Sequence, residues 1–309
     1  MNRTKLICFL ACSLLAAVLL LSMLPPQNTL AAEGSERSRG FKSNNQISSL
    51  KPQRIVSLSP GNTEILFALG AGERVVGVTS YSDYPEEAKT KPSVGGYHAP
   101  DVEKIIALAP DIVLAMGDVQ KKYVRILERA GIRVVSVEPK TMAEIVSAID
   151  IISEAIGEPE RGAALHAELV QQLNEVQRLT AQTPRKKVFL QIWDTPLLTV
   201  GKRSFINDMI GQAGGVNAAA DKNVDYTPCD IETLYAYNPA KYIVISHSRN
   251  ESYSFIARPE MADIEAVKNE QIYQVDDALL TRPGPRSFIG LVQLAKILHP
   301  EETKCLEKK

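Results

Sequence analysis

Side chains that commonly carry out catalysis are few in this sequence and lie far apart. The four histidines, His98, His166, His247 and His299, form no HExxH pair that could bind a metal ion. No GxSxG nucleophile motif is present, and the chain has neither a P-loop nor a GxGxxG after its first strand to bind phosphate. Carboxylates are numerous, but no close pair stands out from the solvated charges. We therefore expect no enzyme, no catalytic residue, no cofactor and no metal site built by the protein.

Aromatic and small polar residues instead follow the predicted strand ends. Ligands of open α/β sheets bind outside the carboxyl ends of the strands. Aromatic faces with a few polar anchors suit a large, flat and partly apolar ligand. For any single tyrosine, half-buried packing explains the residue equally well. The candidate ligand-binding residues are Tyr81, Tyr97, Trp193, Tyr226, Arg282 and Arg286.

Short apolar strands alternate with amphipathic helices along most of the chain. This alternation predicts an α/β fold whose sheets are mainly parallel and carry helices on both faces. The first helix is predicted to be capped by Asn62 or Thr63. The predicted strands cover residues 55–58, 75–79, 111–115, 133–137, 187–192, 241–245 and 271–275, and the main predicted helices cover 64–69, 102–108, 121–130 and 287–298.

A long helical stretch separates two such α/β units. Residues 141–183 keep a helical apolar period and are interrupted only by Gly157, Pro159 and Gly162. The second part of the stretch predicts one long helix, which is a stiff connector, unlike a Gly/Ser linker. The predicted domains are therefore an N-terminal α/β lobe at 52–158, a connecting helix at 159–184 and a C-terminal α/β lobe at 185–309.

A spacing pattern recurs in the two lobes. Asp101-Val102-Glu103 begins a helix that ends before Pro110, and Asp230-Ile231-Glu232 begins one that ends before Pro239. In both copies the aspartate should cap the helix, and an apolar strand follows the proline. Tyr97 and Tyr226 each precede the repeated glutamate by six residues. Shared spacing of cap, turn and strand favours a duplicated module over coincidence.

The N-terminal segment and the cysteines bear on the cellular compartment in which the protein is found. Arg3 and Lys5 precede an apolar run at 6–24, and Ala31-Ala32 offers a cleavage site. Residues 1–32 are therefore predicted to be a signal peptide, followed by a flexible spacer at 33–51. The length of the apolar run leaves an uncleaved membrane anchor as the alternative. Cys229 and Cys305 are predicted either to form a disulfide, which an oxidising compartment permits, or to be two separate buried thiols.

Several stretches resemble the helical-backbone periplasmic substrate-binding proteins of ABC importers for cobalamin, heme and ferric siderophores. The resemblance covers nearly all of residues 52–299, and the runs Ser59–Glu64 and Ser80–Pro85 are most similar to the cobalamin branch. The stretches that carry it are Arg54–Gly70, Val75–Pro85, Pro100–Ala115, Leu198–Gly201, Gly214–Asn217, Asp230–Ser246 and Arg282–Leu291.

This resemblance implies two Rossmann-like lobes joined by one long helix, with limited hinge motion. It implies a monomer that binds a corrinoid between the lobes and delivers it to an ABC permease dimer with its ATPase subunits. In that family one acidic residue on each lobe docks on permease arginines, and the matching positions here are Glu103 and Glu232. Simple complementation of the helix dipole is the alternative role for each carboxylate.

For the ligand, the resemblance carries over to Tyr81, Tyr97, Trp193, Tyr226 and Arg282, and less closely to Arg286. Cobalamin receptors commonly carry tryptophan at the positions of Tyr97 and Tyr226, so the identity of the ligand stays open. A ferric siderophore or heme on the same scaffold is the alternative. A ligand-sensing domain or an α/β enzyme is a more distant one. The formal charge of −1 gives no reason to expect nucleic acid as a partner.

Overall fold

The computed structural model describes residues 51–246 and 256–308, all within the compact unit Ser49–Lys309. The predicted signal peptide, all of the predicted spacer except Lys51, and His247 lie outside the described residues. The strands are β1 (Ile55–Ser57), β2 (Val75–Val78), β3 (Ile112–Met116), β4 (Arg133–Val137), β5 (Lys186–Trp193), β6 (Leu198–Val200), β7 (Gly215–Asn217), β8 (Tyr226–Pro228), β9 (Lys241–Ser246) and β10 (Ile272–Asp276).

Helices connect almost all of these strands. The α-helices are α1 (Pro60–Ala68), α2 (Val102–Ala107), α3 (Lys121–Arg129), α4 (Met142–Ile156), α5 (Pro159–Thr180), α6 (Phe205–Gln212), α7 (Ile231–Tyr237), α8 (Glu265–Lys268), α9 (Asp277–Leu280) and α10 (Ser287–Leu298). Short 3₁₀ helices lie at Gly72–Arg74, Glu86–Thr90, Asp118–Gln120, Pro259–Met261 and Lys304–Lys308.

The N-terminal lobe is built on a parallel sheet with strand order β2-β1-β3-β4. Alternate residues of a strand point to opposite faces of the sheet. Ile55 and Ile112 accordingly pack in the core that contains α1 and α4. Val56 and Val113 pack on the other face, in the core that contains residues of α2 and α3. Burial on both faces explains why the central strand β3 is apolar throughout.

The C-terminal lobe has a mixed sheet in which the order β10-β9-β5-β6-β8 is joined by β7 beside β5. Strands β5, β7, β9 and β10 are parallel, as the prediction of a mainly parallel sheet requires. Strands β6 and β8 are antiparallel additions of three residues each that the sequence analysis did not predict. They matter for function because they carry the segments that face the other lobe.

The connecting helix is α5, which begins at Pro159 and ends at Thr180, four residues before the end of the predicted connector at 184. Leu169, Leu173 and Val176 are buried along one face of this 22-residue helix. They join a core cluster with residues from both lobes, so the connector is packed into the protein along its length. Within the described part of the chain, no helix is long and apolar enough to cross a membrane.

Capping decides where the site-forming helices begin. Helix α1 begins at Pro60, because the hydroxyl of Ser59 accepts a hydrogen bond from the backbone N–H of Asn62 at 3.2 Å. The predicted cap at Asn62 or Thr63 was therefore wrong, since a proline at the first helical position favours the earlier start. The repeated caps are confirmed. Asp101 accepts from the N–H of Lys104 at 3.1 Å, and Asp230 accepts from that of Thr233 at 2.8 Å.

Of the two alternatives for Cys229 and Cys305, the disulfide is not formed. Cys229 is a free thiol buried in the core of the C-terminal lobe, and Cys305 is a free thiol exposed on the last 3₁₀ helix. Burial, with Asp230 adding to it, raises the pKa of Cys229 to about 12. The alternative of two buried thiols therefore holds for Cys229 and not for Cys305.

Candidate functional site

The two lobes enclose a cavity of about 660 Å³. On the N-terminal side its wall comes from residues that follow the carboxyl ends of β1, β2, β3 and β4. On the C-terminal side it comes from segments after β6 and β10 and from the beginning of β8. Loops that follow parallel strands lie at one edge of the sheet, and the sequence predicts the ligand site at that edge. The cavity lies at this edge. Its lining includes Pro60, Gly61, Tyr81, Tyr97, His98, Met116, Val119, Glu138, Pro139, Lys140, Arg203, Ser204, Phe205, Asp225, Tyr226, Asp277, Arg282 and Pro283.

Four of the six predicted ligand residues line this cavity, namely Tyr81, Tyr97, Tyr226 and Arg282. Tyr81 is 60% exposed and Tyr226 is 54% exposed, so much of each ring is available for contact with a ligand. Burial raises the pKa of the Tyr97 hydroxyl, and the nearby Glu138 and Tyr226 add to the increase. The two tyrosines at matched positions of the repeat therefore face one cavity from different lobes.

The backbone of Tyr97 is held in place by a buried glutamine that the sequence analysis missed. The Gln120 side chain donates to the carbonyl of Tyr97 at 2.9 Å and to that of Leu58 at 2.7 Å, and it accepts from the N–H of Met116 at 2.8 Å. Gly95 closes the same loop with φ +98°, where a Cβ would lie 2.9 Å from the carbonyl oxygen of Ala99. Tyr97 is thus tied to the ends of β1 and β3.

A chain of buried hydroxyl groups holds the turn that carries Tyr81. Ser82 bonds to the hydroxyls of Thr79 at 3.0 Å and Thr63 at 3.1 Å, and Thr63 donates to Ser57 at 2.9 Å. These contacts join the turn after β2 to helix α1 and strand β1. These hydrogen bonds therefore hold the backbone that carries the exposed ring of Tyr81.

Charged groups around the cavity are balanced and largely paired. The lining has three basic residues, Lys140, Arg203 and Arg282, against the acidic Glu138, Asp225 and Asp277. Lys140 bonds to Glu138 at 2.8 Å, and Arg203 lies 3.6 Å from Asp225. Of these residues only Arg282 was predicted. The described residues contain no group of three or more His, Cys, Asp or Glu arranged to hold a metal ion.

Arg282 reaches across the cleft to the other lobe. Its two terminal nitrogens donate to the two carboxylate oxygens of Asp83, the second at 3.2 Å. Partial burial by itself would raise the pKa of Asp83, but the hydrogen bond and charge of Arg282 outweigh it and lower the pKa below its ordinary value. Asp83 is therefore a charged partner that a ligand of Arg282 must displace or share.

The other two predicted ligand residues, Trp193 and Arg286, do not line this cavity. Trp193 is half-exposed at the end of β5, where its indole N–H donates to the carbonyl of Thr195 at 3.1 Å. Arg286 donates to Glu64 at 2.7 Å and lies over the ring of Tyr84. Both side chains thus have protein partners and do not belong to the lining of this cavity.

The two repeated glutamates lie on the surface. Glu103 is exposed in the first turn of α2, and Glu232 is exposed in the first turn of α7. Neither forms an ion pair with another described residue. The repeat also extends into the backbone, since Ala109 (φ 42°) and Asn238 (φ 40°), just before the two prolines, both have positive φ.

Comparisons with known proteins agree with this architecture. The family model described as periplasmic binding protein matches residues 55–279. The chain is 32% identical to the uncharacterized ABC transporter substrate-binding lipoprotein YvrC of Bacillus subtilis (strain 168), over 95% of this chain and 97% of that protein.

Two solved structures are similar along most of the chain. The periplasmic vitamin B12 binding protein BtuF of Vibrio cholerae has a TM-score of 0.74 and 27% identity, covering 84% of this chain and 99% of the other. The periplasmic heme-binding protein RhuT from Roseiflexus sp. RS-1 has a TM-score of 0.73 and 29% identity, covering 81% and 99%. These similar proteins bind different ligands.

Proposed function

Because this chain belongs to the periplasmic binding protein family, we propose that it is the extracytoplasmic substrate-binding protein of an ABC importer and binds a corrinoid such as cobalamin. The observation that carries the proposal is the interlobe cavity walled by Tyr81, Tyr97 and Tyr226. The protein binds its ligand there and catalyses no reaction. Residues 1–32 would direct export, either as a cleaved signal or as an anchor.

The chemistry of the cavity favours a ligand without strong negative charge. A volume of about 660 Å³ falls in the range of small-molecule sites. Tyrosine rings from both lobes offer apolar faces with polar edges, which suit a flat ring system that carries amide groups. Anionic ferric siderophores would favour a basic cleft, whereas the charged residues here are balanced in sign. A corrinoid meets these conditions.

Heme is the second candidate, and a specific observation favours it. His98 lines the cavity beside Tyr97, with the two rings edge to face at 4.9 Å. Histidine and tyrosine are both axial ligands of heme iron. A protein that binds heme here would use one of these two side chains on the iron and the remaining tyrosines around the porphyrin.

Calorimetric titration of the purified protein with cyanocobalamin, hemin and a ferric siderophore tests the proposal. We expect saturable heat with cyanocobalamin and no competition from the ferric siderophore. If hemin binds with a shifted absorption band that His98→Ala or Tyr97→Phe abolishes, while cyanocobalamin gives no heat at tens of micromolar, the heme alternative replaces the corrinoid. A substitution at Tyr123 is the control and should leave ligand binding unchanged, because this residue lies on α3 and does not line the cavity.

Delivery would use the exposed carboxylates of Glu103 and Glu232, one on each lobe, against basic residues of a permease dimer. Such contacts act mainly through electrostatic steering and weaken as salt rises. The double charge reversal Glu103→Lys and Glu232→Lys should abolish uptake and leave ligand binding intact. A loss of ligand binding in this variant would contradict the docking role. Glu128→Lys, an exposed glutamate on α3, is the matched control.

A further inference from the structure

A buried ion pair joins the two lobes beside the cavity. Glu64 on α1 accepts a hydrogen bond from Arg286, the residue before α10, at 2.7 Å. The two side chains are only 2% and 15% exposed. A second interlobe pair, between Arg282 and Asp83, differs because the aspartate side chain is 50% exposed. One loop of the C-terminal lobe therefore makes one buried and one open ionic contact with the N-terminal lobe.

The lobes also touch through their backbones at this point. A Cβ added to Gly61 would lie 2.1 Å from the carbonyl oxygen of Pro283, and one added to Gly284 would lie 3.2 Å from the Cα of Gly61. Gly61 and Pro283 line the ligand cavity. Glu64 and Arg286 line a second cavity of about 910 Å³ next to the connecting helix. The ion pair and the backbone contact thus separate the two cavities.

Tyr84 completes the contact. The guanidinium carbon of Arg286 lies 4.0 Å from the centre of the Tyr84 ring, which belongs to the N-terminal lobe. A cation over an aromatic face is attracted by the ring. Arg286 is therefore held to the other lobe in two ways, by the Glu64 carboxylate and by the Tyr84 ring.

The hydrogen bonding of this pair is incomplete. Glu64 Oε2 and Arg286 Nε have no hydrogen-bond partner among the described residues. Burial raises the pKa of Glu64 despite the opposing hydrogen bond and charge of Arg286. Desolvation of a buried pair offsets much of its attraction, so such a pair adds little net stability, although removing one partner is costly. In some proteins such a pair fixes one particular arrangement of the parts it joins.

We propose that Glu64, Tyr84 and Arg286 form an interlobe clasp that holds the lobes closed and positions Arg282 at the ligand cavity. Arg282 and Arg286 are four residues apart on the same loop. Because Arg286 is held in place, the possible positions of the Arg282 guanidinium are restricted as well. The three clasp residues act through this loop and do not touch the ligand. Only the effect on ligand release rests on the proposed function, since the effect on closure needs no ligand.

The closure is tested on the ligand-free protein. Spin labels at Glu128→Cys and Asn223→Cys, exposed sites on different lobes, report the interlobe distance in a full-length background with Cys8, Cys12 and Cys305 changed to serine. We expect one narrow distance distribution with the clasp intact and an added, longer component in Glu64→Gln and in Tyr84→Leu. Tyr123→Leu removes a Lys122–tyrosine contact within one lobe and should change nothing.

Ligand release gives the second measurement. Stopped-flow dissociation of cyanocobalamin should be about tenfold faster in Glu64→Gln and about threefold faster in Tyr84→Leu, while association changes less. Unchanged distances in both variants would overturn the clasp. If Glu64→Gln does not fold, Tyr84→Leu decides, because that ring is 46% exposed. Longer distances with unchanged release would refute the positioning of Arg282. Longer distances in a protein that binds no corrinoid would leave the clasp standing and reject the proposed ligand.

Discussion

Substitutions at the two ends of the Arg282–Asp83 pair should change ligand affinity in opposite directions. Arg282 donates to both carboxylate oxygens of Asp83. A ligand that accepts a hydrogen bond from Arg282 has to compete with that carboxylate. Asp83→Asn should therefore strengthen ligand binding, whereas Arg282→Ala removes the donor and should weaken it.

The magnitudes follow from the exposure of the pair. The Asp83 side chain is half exposed, and an ion pair with an exposed partner contributes less than about 1 kcal/mol. Removing this competition should strengthen ligand binding by no more than about fivefold. A hydrogen bond from a charged donor contributes about 1.5–3 kcal/mol, so Arg282→Ala should weaken binding by about ten- to a hundredfold.

Calorimetry with cyanocobalamin measures both effects, and Glu86→Gln is the control. Glu86 lies close by in the chain and pairs with Lys89 at 2.7 Å, away from the cavity. If Asp83→Asn weakens binding as strongly as Arg282→Ala does, the pair serves closure, and the competition argument is refuted. Unchanged affinity in Arg282→Ala would remove this residue from the ligand site.

The same pair gives a pH dependence whose sign is fixed. Arg282 lowers the pKa of Asp83 in the folded protein below its ordinary value of 3.8. The stability contributed by the pair is therefore fully present above that value and is lost as the pH falls through the lower, folded pKa. Urea unfolding of the wild type and Asp83→Asn should differ at neutral pH and converge in strong acid. A difference that persists there would contradict the assigned pKa shift.

Three further variants or reactions test other parts of the structure. Replacing Tyr97 and Tyr226 together by alanine should weaken ligand binding by about 1–3 kcal/mol in calorimetry, because both rings line the cavity. Tyr242→Phe should lower the free energy of unfolding in urea by about 1–3 kcal/mol, since a fully buried glutamine oxygen on β5 loses its donor at 2.7 Å. Iodoacetamide should alkylate Cys305 in the native protein and Cys229 only after unfolding, as peptide mapping would show.

Helices and strands could be predicted from the sequence where neighbouring residues alone determine them. Strand β4 and helix α10 have the predicted bounds, because apolar periodicity and flanking turns determine them. Asp101 and Asp230 cap their helices as predicted, since capping depends on neighbouring residues only. The edge strands β6 and β8 are too short to give a periodic signal, and pairing with distant segments forms them.

The candidate ligand site was only partly predictable for a related reason. Tyr81 and Tyr97 follow strand ends, and a parallel sheet places such residues at one edge. Arg282 and Arg286 lie on one loop, and the sequence cannot tell which of them enters the cavity. The backbone contact at Gly61 decides this by setting how the loop meets the other lobe. Lys140 lines the same cavity because segments far apart in the chain converge there.

The two ion pairs that this loop forms with the other lobe meet two different requirements of the proposed receptor. Contact with the proposed ligand would need a charge that can change partners, and Arg282, paired with the half-exposed Asp83, could supply one. Defined closure needs a contact that excludes water, and Arg286 meets this with the buried Glu64. Because desolvation offsets much of the attraction in a buried pair, the closed arrangement is specific without being very stable. Such a closed state can still open when the ligand has to leave.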